Sequence, residues 1–351
     1  MSIERKKIPV AILGATGIVG QKFVELLHFH PWFEIVALAA STQSVGKRYD
    51  EAMQWKMGTV LSSAIASMFV SPCIPNLPCK IAFSALDGAV AGEIEENFAR
   101  AGYIVISNSS SHRMHPAVPL LIPEVNPEHL ELARAQSFSE GMIVTNPNCS
   151  AIGLSTALKP LDAIWGVERV NVVTLQAISG AGYPGIASFD ILDNVIPYIA
   201  DEEEKIETEI LKILGTLHEN AIVKHSMQIS AQCNRVAVMD GHMACVSLKL
   251  KQSACVTEMI SAWETFKGEP QRLQLPTAPN NPLVYFHDER YPQPKLHRSL
   301  ENGMVVSIGR LRHCSLNDWK FVVLSHNTIR GAAGSAILNA ELMLKMNFIG
   351  Q

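Results

Sequence analysis

No apolar run in this chain of 351 residues approaches the ~18 needed to cross a bilayer, and that excludes a membrane-spanning role. The seven cysteines are an odd number with no CxxC pair, and the twelve histidines form no HExxH pattern, so neither a disulfide framework nor a metal site is expected. The N-terminus, MSIERKKIPVAILG, lacks the apolar stretch of a secretory leader, and free thiols suit a reducing compartment; the expected location is the cytoplasm. Charge is sparse and nearly balanced. A net charge of −4 leaves no basic field for nucleic acid, and the longest like-charge run, Asp201 to Glu204, is short enough to be a solvated helix start. Repeats and low-complexity tracts are absent.

What is present is a large apolar fraction, 48% of residues, in a length that suits two domains. IPVAILGA, WFEIVALAA, KIAFSAL, YIVISNSS and MIVTNPN are short, nearly continuous apolar runs, as in strands buried on both faces of a parallel sheet. GIVGQKFVELLHFH and GEIEENFARAG have helical spacing between them. Residues 1–150 therefore read as a Rossmann-like doubly wound α/β domain. Beyond Cys149, VERVNVVTLQAIS, HMACVSLKLK, MVVSIGRLRH and WKFVVLSHN alternate apolar and polar positions. Residues 151–327 read as an α+β domain with a mostly antiparallel sheet. The closing helix, 328–351, carries an apolar face that returns to complete the first domain.

Two turns carry chemistry. GATGIVG follows the first strand and opens the first helix, where glycines let backbone amides approach a pyrophosphate. After the second strand no carboxylate stands ready for a ribose 2′-hydroxyl. Ser41, Ser44, Lys47 and Arg48 are there instead, hydroxyls and cations that suit a 2′-phosphate and favour NADP over NAD. TNPNCSAIG then places Cys149 between a strand and a helix. A thiol at a first helical turn meets unpaired N–H groups and the positive end of the dipole, which favour thiolate; the alternative is a small residue packing a corner.

SNSSSHRM, NPNCS, LQAISGAGYPG, NRVAVMDGH and SHNTIRGAAG occur in the order found in the aspartate-semialdehyde dehydrogenase family, and SGAGYPG resembles its archaeal and fungal branch. The resemblance covers essentially the whole chain. It implies reversible conversion of L-aspartyl-4-phosphate and NADPH into aspartate 4-semialdehyde, NADP and phosphate, a step toward lysine, threonine and methionine, in a homodimer or homotetramer. It implies Cys149 as nucleophile, His242 as acid/base and Gln176 as the orienting amide. Arg235 would clamp the substrate carboxylate, while Arg113 with Asn108 would hold phosphate. The acidic helix offers two registers, Glu209 with Lys212 or Glu202 with Lys205; the interval to Arg235 favours the former, Glu209 for the substrate ammonium and Lys212 for phosphate. Gly14, Thr16, Gly17, Ile18, Val19, Ser41, Ser44, Lys47, Ser179, Gly180 and Asn327 match positions around the cofactor. Positions seven apart on one strand face opposite ways, so Arg235 and His242 reach one cleft only if Asp240 and Gly241 bend the chain. The rival readings are N-acetyl-γ-glutamyl-phosphate reductase, whose acylated substrate has no ammonium, and a silent dinucleotide sensor.

Overall fold

The computed structural model describes residues 6–350. Its first sheet is parallel throughout, in the order β3-β2-β1-β4-β5-β6, with β1 Ile8–Leu13, β2 Phe33–Ala40, β3 Ser71–Pro72, β4 Ile81–Ser84, β5 Ile104–Ser107 and β6 Met142–Thr145. Strand β4 is buried at all four positions, which is why the run IAFS carries no alternation. Helices Ile18–Leu27 and Gly88–Arg100 pack beside the sheet. Val10, Ile12, Phe83 and Ile106 share one core with Ala336, Ile337 and Leu338 of the last helix, Gly334–Lys345. Each large apolar side chain buried there contributes ~1.5–3 kcal/mol.

The second sheet has seven strands in the order β13-β14-β15-β12-β7-β11-β8. These are β7 Val167–Gln176, β8 Val195–Ile196, β11 Gln228–Val236, β12 His242–Leu250, β13 Leu283–Phe286, β14 Val306–His313 and β15 Trp319–Ser325; a separate hairpin joins β9 Thr216–His218 to β10 Ala221–Val223. This sheet is mixed. Strand β7 runs antiparallel to β12 but parallel to β11, and β13 runs parallel to β14. Four of the six pairings are antiparallel, and the two parallel ones went unanticipated because apolar alternation reports one exposed face and says nothing about the direction of the neighbouring strand. The parallel β7 and β11 need a long crossover, which helix Glu202–Ile213 supplies. Helix Cys149–Trp165 covers the sheet's buried face, where Ile152, Leu158 and Leu161 meet Val170, Val246 and Phe321.

Candidate active site

Cys149 is the first residue of helix Cys149–Trp165 and is half-buried. The side chain of Asn148, at the cap, accepts from the N–H groups of Ser150 at 2.9 Å and Ala151 at 3.2 Å. That side chain therefore takes two amides of the first turn. Burial and the negative charge of Glu202 push the thiol up to about 12, against the pull of Arg113 and Arg235. That direction opposes the pull of the helix start toward thiolate.

The bend at Asp240 and Gly241 is present, with Gly241 at φ +99°. Arg235 lies near the end of β11 and His242 opens β12; these strands flank β7 rather than pairing with each other. Ala177, just after β7, ties the two side chains together. Its N–H donates to His242 Nδ1 at 3.0 Å, and its carbonyl accepts from Arg235 Nη1 at 2.7 Å. Gly180 closes the cluster, since a Cβ there would sit 2.9 Å from Arg235 Nη1 and 3.1 Å from His242 Nε2. Burial, Arg235 and His326 push the imidazole down to about 3, away from the neutral range expected of a proton carrier.

On the opposite wall, Arg113 donates to the Asn108 carbonyl at 2.8 Å and to Glu209 at 3.0 Å. Arg113 Nε and Asn108 Nδ2 are buried donors without protein partners, as a site for an anionic group requires. Glu209 also accepts from the Asn148 N–H at 2.6 Å. Lys212 donates to the carbonyls of Arg113, His115 and Val118 at 2.7, 2.9 and 2.8 Å. An ammonium has three N–H donors. All three are taken, so Lys212 shapes the Arg113 loop and its expected contact with phosphate does not fit this geometry.

Glu202 is the acid that faces the thiol side. Its carboxylate accepts from Asn148 Nδ2 at 2.7 Å and Gln176 Nε2 at 3.2 Å. Glu202 and Glu209 are seven residues apart, two helical turns, and both are buried on one face. Lys205, of the other register, is half-buried. The sequence reading left Asn148 out of the site, although an Asn just before a helix is itself a capping signal.

The nucleotide candidates gather at the first strand-to-helix turn. Gly14 has φ +75°, and a Cβ there would meet the Ala85 carbonyl at 2.5 Å; one at Gly20 would meet the Gly14 carbonyl at 2.2 Å. Helix Ile18–Leu27 begins at Gly17 with no side-chain cap and no acid in its first turn. The amides around Thr16, Gly17, Ile18 and Val19 fit a pyrophosphate. Past β2, Ser41 and Lys47 are exposed and Ser44 is buried, while Arg48 pairs with Asp50 at 2.8 Å. At the far end of the cleft, Asn327 donates to the Ser179 hydroxyl at 2.8 Å and accepts from the Gly241 N–H at 2.8 Å. Among the described residues no cluster of side chains suits a metal ion, and no helix is long and apolar enough to cross a membrane.

A nucleotide-type turn, a thiol at a helix start and a second sheet domain define a semialdehyde dehydrogenase of the two-domain class. The family model for the semialdehyde dehydrogenase NAD binding domain matches residues 9–133, and that for the semialdehyde dehydrogenase dimerisation domain matches residues 158–330. Aspartate-semialdehyde dehydrogenase of Methanothermobacter thermautotrophicus is 46% identical over 343 residues, covering 96% of this chain and 99% of its own. The Schizosaccharomyces pombe enzyme is 45% identical, covering 96% and 98%. The crystal structure of aspartate semialdehyde dehydrogenase with NADP from Candida albicans superposes with a TM-score of 0.91 at 40% identity, covering 98% and 100%. The chain belongs to the aspartate-semialdehyde dehydrogenase family and is an enzyme.

Proposed function

We propose that the chain catalyses the reversible reduction of L-aspartyl-4-phosphate by NADPH to aspartate 4-semialdehyde and phosphate, through a thioester on Cys149. The observation that carries this reading is the placement of the Cys149 thiol between two cationic walls, Arg113 with Asn108 on one side and Arg235 on the other. A substrate with a phosphate at one end and a carboxylate at the other fits that spacing of charge. Arg235 holds the carboxylate, Arg113 and Asn108 hold the phosphate, and the acyl carbon then lies at Cys149. Glu202 and Glu209 supply negative charge for the substrate ammonium, and Gln176 orients the acyl group from beside Glu202. His242 handles the acyl oxygen. NADPH, bound along Gly14 to Val19 with its 2′-phosphate toward Ser41, Ser44 and Lys47, supplies the hydride that reduces the thioester. Ser179, Gly180 and Asn327 line the nicotinamide end.

N-acetyl-γ-glutamyl-phosphate reductase is not favoured: the relatives are aspartate-semialdehyde dehydrogenases, and two buried carboxylates suit a free ammonium. In this reading residues 1–150 with the returning helix 328–351 form the nucleotide domain, and residues 151–327 the catalytic and oligomerisation domain. The match to a dimerisation domain supports a homodimer or a tetramer of two such dimers. Seven free cysteines support a cytoplasmic setting. Phosphate-dependent reduction of NADP by aspartate semialdehyde tests the assignment; an enzyme that turns over N-acetylglutamate semialdehyde and not aspartate semialdehyde overturns it.

A further inference from the structure

In a trans peptide the C=O and the N–H that follows it point to opposite sides, so whatever holds a carbonyl also aims the next amide. Every carbonyl of the turn Gly14 to Gly17 is held. Gly14 accepts from the Gly17 N–H at 3.1 Å, Thr16 from the Gln21 side chain at 3.1 Å and Gly17 from the Gln21 N–H at 2.8 Å. Those donors belong to the turn itself and to the helix it opens. The Ala15 carbonyl is held from elsewhere, by the hydroxyl of Tyr49 at 2.8 Å. Tyr49 lies in the segment after β2, two residues beyond Lys47, and its ring is fully buried in the core of the first domain. Its own N–H donates to the Met68 carbonyl at 2.8 Å, which fixes the backbone from which the ring projects. With the Ala15 oxygen turned toward Tyr49, the Thr16 N–H faces the other way, and among the described residues no backbone carbonyl accepts it.

We propose, on the reading that Gly14 to Val19 holds the pyrophosphate of NADP, that Tyr49 is a positioning residue of that site, whose hydroxyl keeps the Ala15–Thr16 peptide with its N–H toward the pyrophosphate. Without the hydroxyl the Ala15 carbonyl is a buried acceptor lacking a donor. Rotating the peptide brings that oxygen to water in the cleft, and the same rotation withdraws the Thr16 N–H and turns the negative end of the peptide dipole toward the anion. Burial pushes the ionisation of the phenol up, so the hydroxyl keeps its proton and stays a donor. Tyr49 acts through the peptide and needs no contact with the cofactor.

Equilibrium binding to the full chain separates this role from a structural one. The probes are NADP and adenosine 2′-monophosphate, which carries the 2′-phosphate and no pyrophosphate. Tyr49→Phe removes one oxygen and keeps the ring in the core. It should weaken NADP roughly tenfold, the loss of one hydrogen bond to a charged group, and leave adenosine 2′-monophosphate within about twofold of wild type. An NADP loss no larger than that of the monophosphate overturns the proposal, because Tyr49 would then shape the segment after β2 or nothing at all. Gly17→Asp tests the underlying reading by itself. A Cβ at Gly17 meets nothing nearer than the Gly14 carbonyl at 3.5 Å, so the side chain fits, and it sets a carboxylate at the uncapped helix start. NADP should then weaken by roughly 10² while the monophosphate still binds. Wild-type affinity for NADP in Gly17→Asp would defeat the pyrophosphate reading, whatever Tyr49→Phe does.

Discussion

Two helices begin at strand-to-helix turns facing the cleft, and they finish those turns in opposite ways. At Gly17 nothing caps the helix, so its first amides remain for an external anion. At Asn148 a side chain takes two of the amides, and burial and Glu202 push the thiol beside it up. On the proposed reading the same backbone feature serves as a binding site in one place and as a fixed mount in the other. One residue at the cap decides which.

The largest way to break this comparison is at the thiol. Cys149→Ala should abolish turnover while NADP still binds at the Gly17 turn with unchanged affinity in a fluorescence titration; residual activity within about tenfold, a barrier change of only ~1.4 kcal/mol, would remove Cys149 from the mechanism. Arg235→Lys comes next. It keeps the charge but loses the guanidinium fork and the tie to Ala177, so kcat/KM for the semialdehyde should fall about 10²-fold, with kcat falling as well as KM rising. Unchanged steady-state constants would place Arg235 outside the substrate site.

A third test reads His242 through stability. Its folded value near 3 lies below the ordinary histidine value, so its contribution to stability is intact above about pH 6.5 and is lost as pH falls toward 3. Between pH 7 and pH 5 the wild type should lose ~2 kcal/mol more than His242→Gln in urea unfolding. Parallel pH curves would mean that the ring titrates in the native state as it does in the unfolded chain. Asn148→Ala should cost ~1 kcal/mol of stability by removing the cap, a change that leaves NADP binding alone. The smallest effect belongs to the other turn's neighbourhood: Lys47→Ala should narrow the preference for NADP over NAD by roughly fivefold, about 1 kcal/mol for an exposed ion pair. Equal losses for the two cofactors would reassign that loop.

These tests also mark where the sequence was sufficient. The parallel sheet was legible because strands buried on both faces leave continuous apolar runs, and the bend before His242 because Asp-Gly is a turn signal with a residue that tolerates positive φ. The parallel pairings in the second sheet were not legible, since β7 shows the same alternation toward β12 and toward β11. The interval to Arg235 singled out Glu209 and passed over Glu202, although two turns of helix return both to the same face. The upward push on the Cys149 thiol was not legible for a different reason: the burial and the nearby Glu202 that cause it come from the fold, not from the helix start.

Lys212 has a consequence of its own. It stands on helix Glu202–Ile213 beside the seven-stranded sheet, yet its three bonds go to carbonyls of the loop that follows β5, in the six-stranded half. That loop carries Arg113. A segment that would otherwise be ordered by the substrate is thus preorganised by the protein, and its conformational entropy is lost during folding rather than during binding.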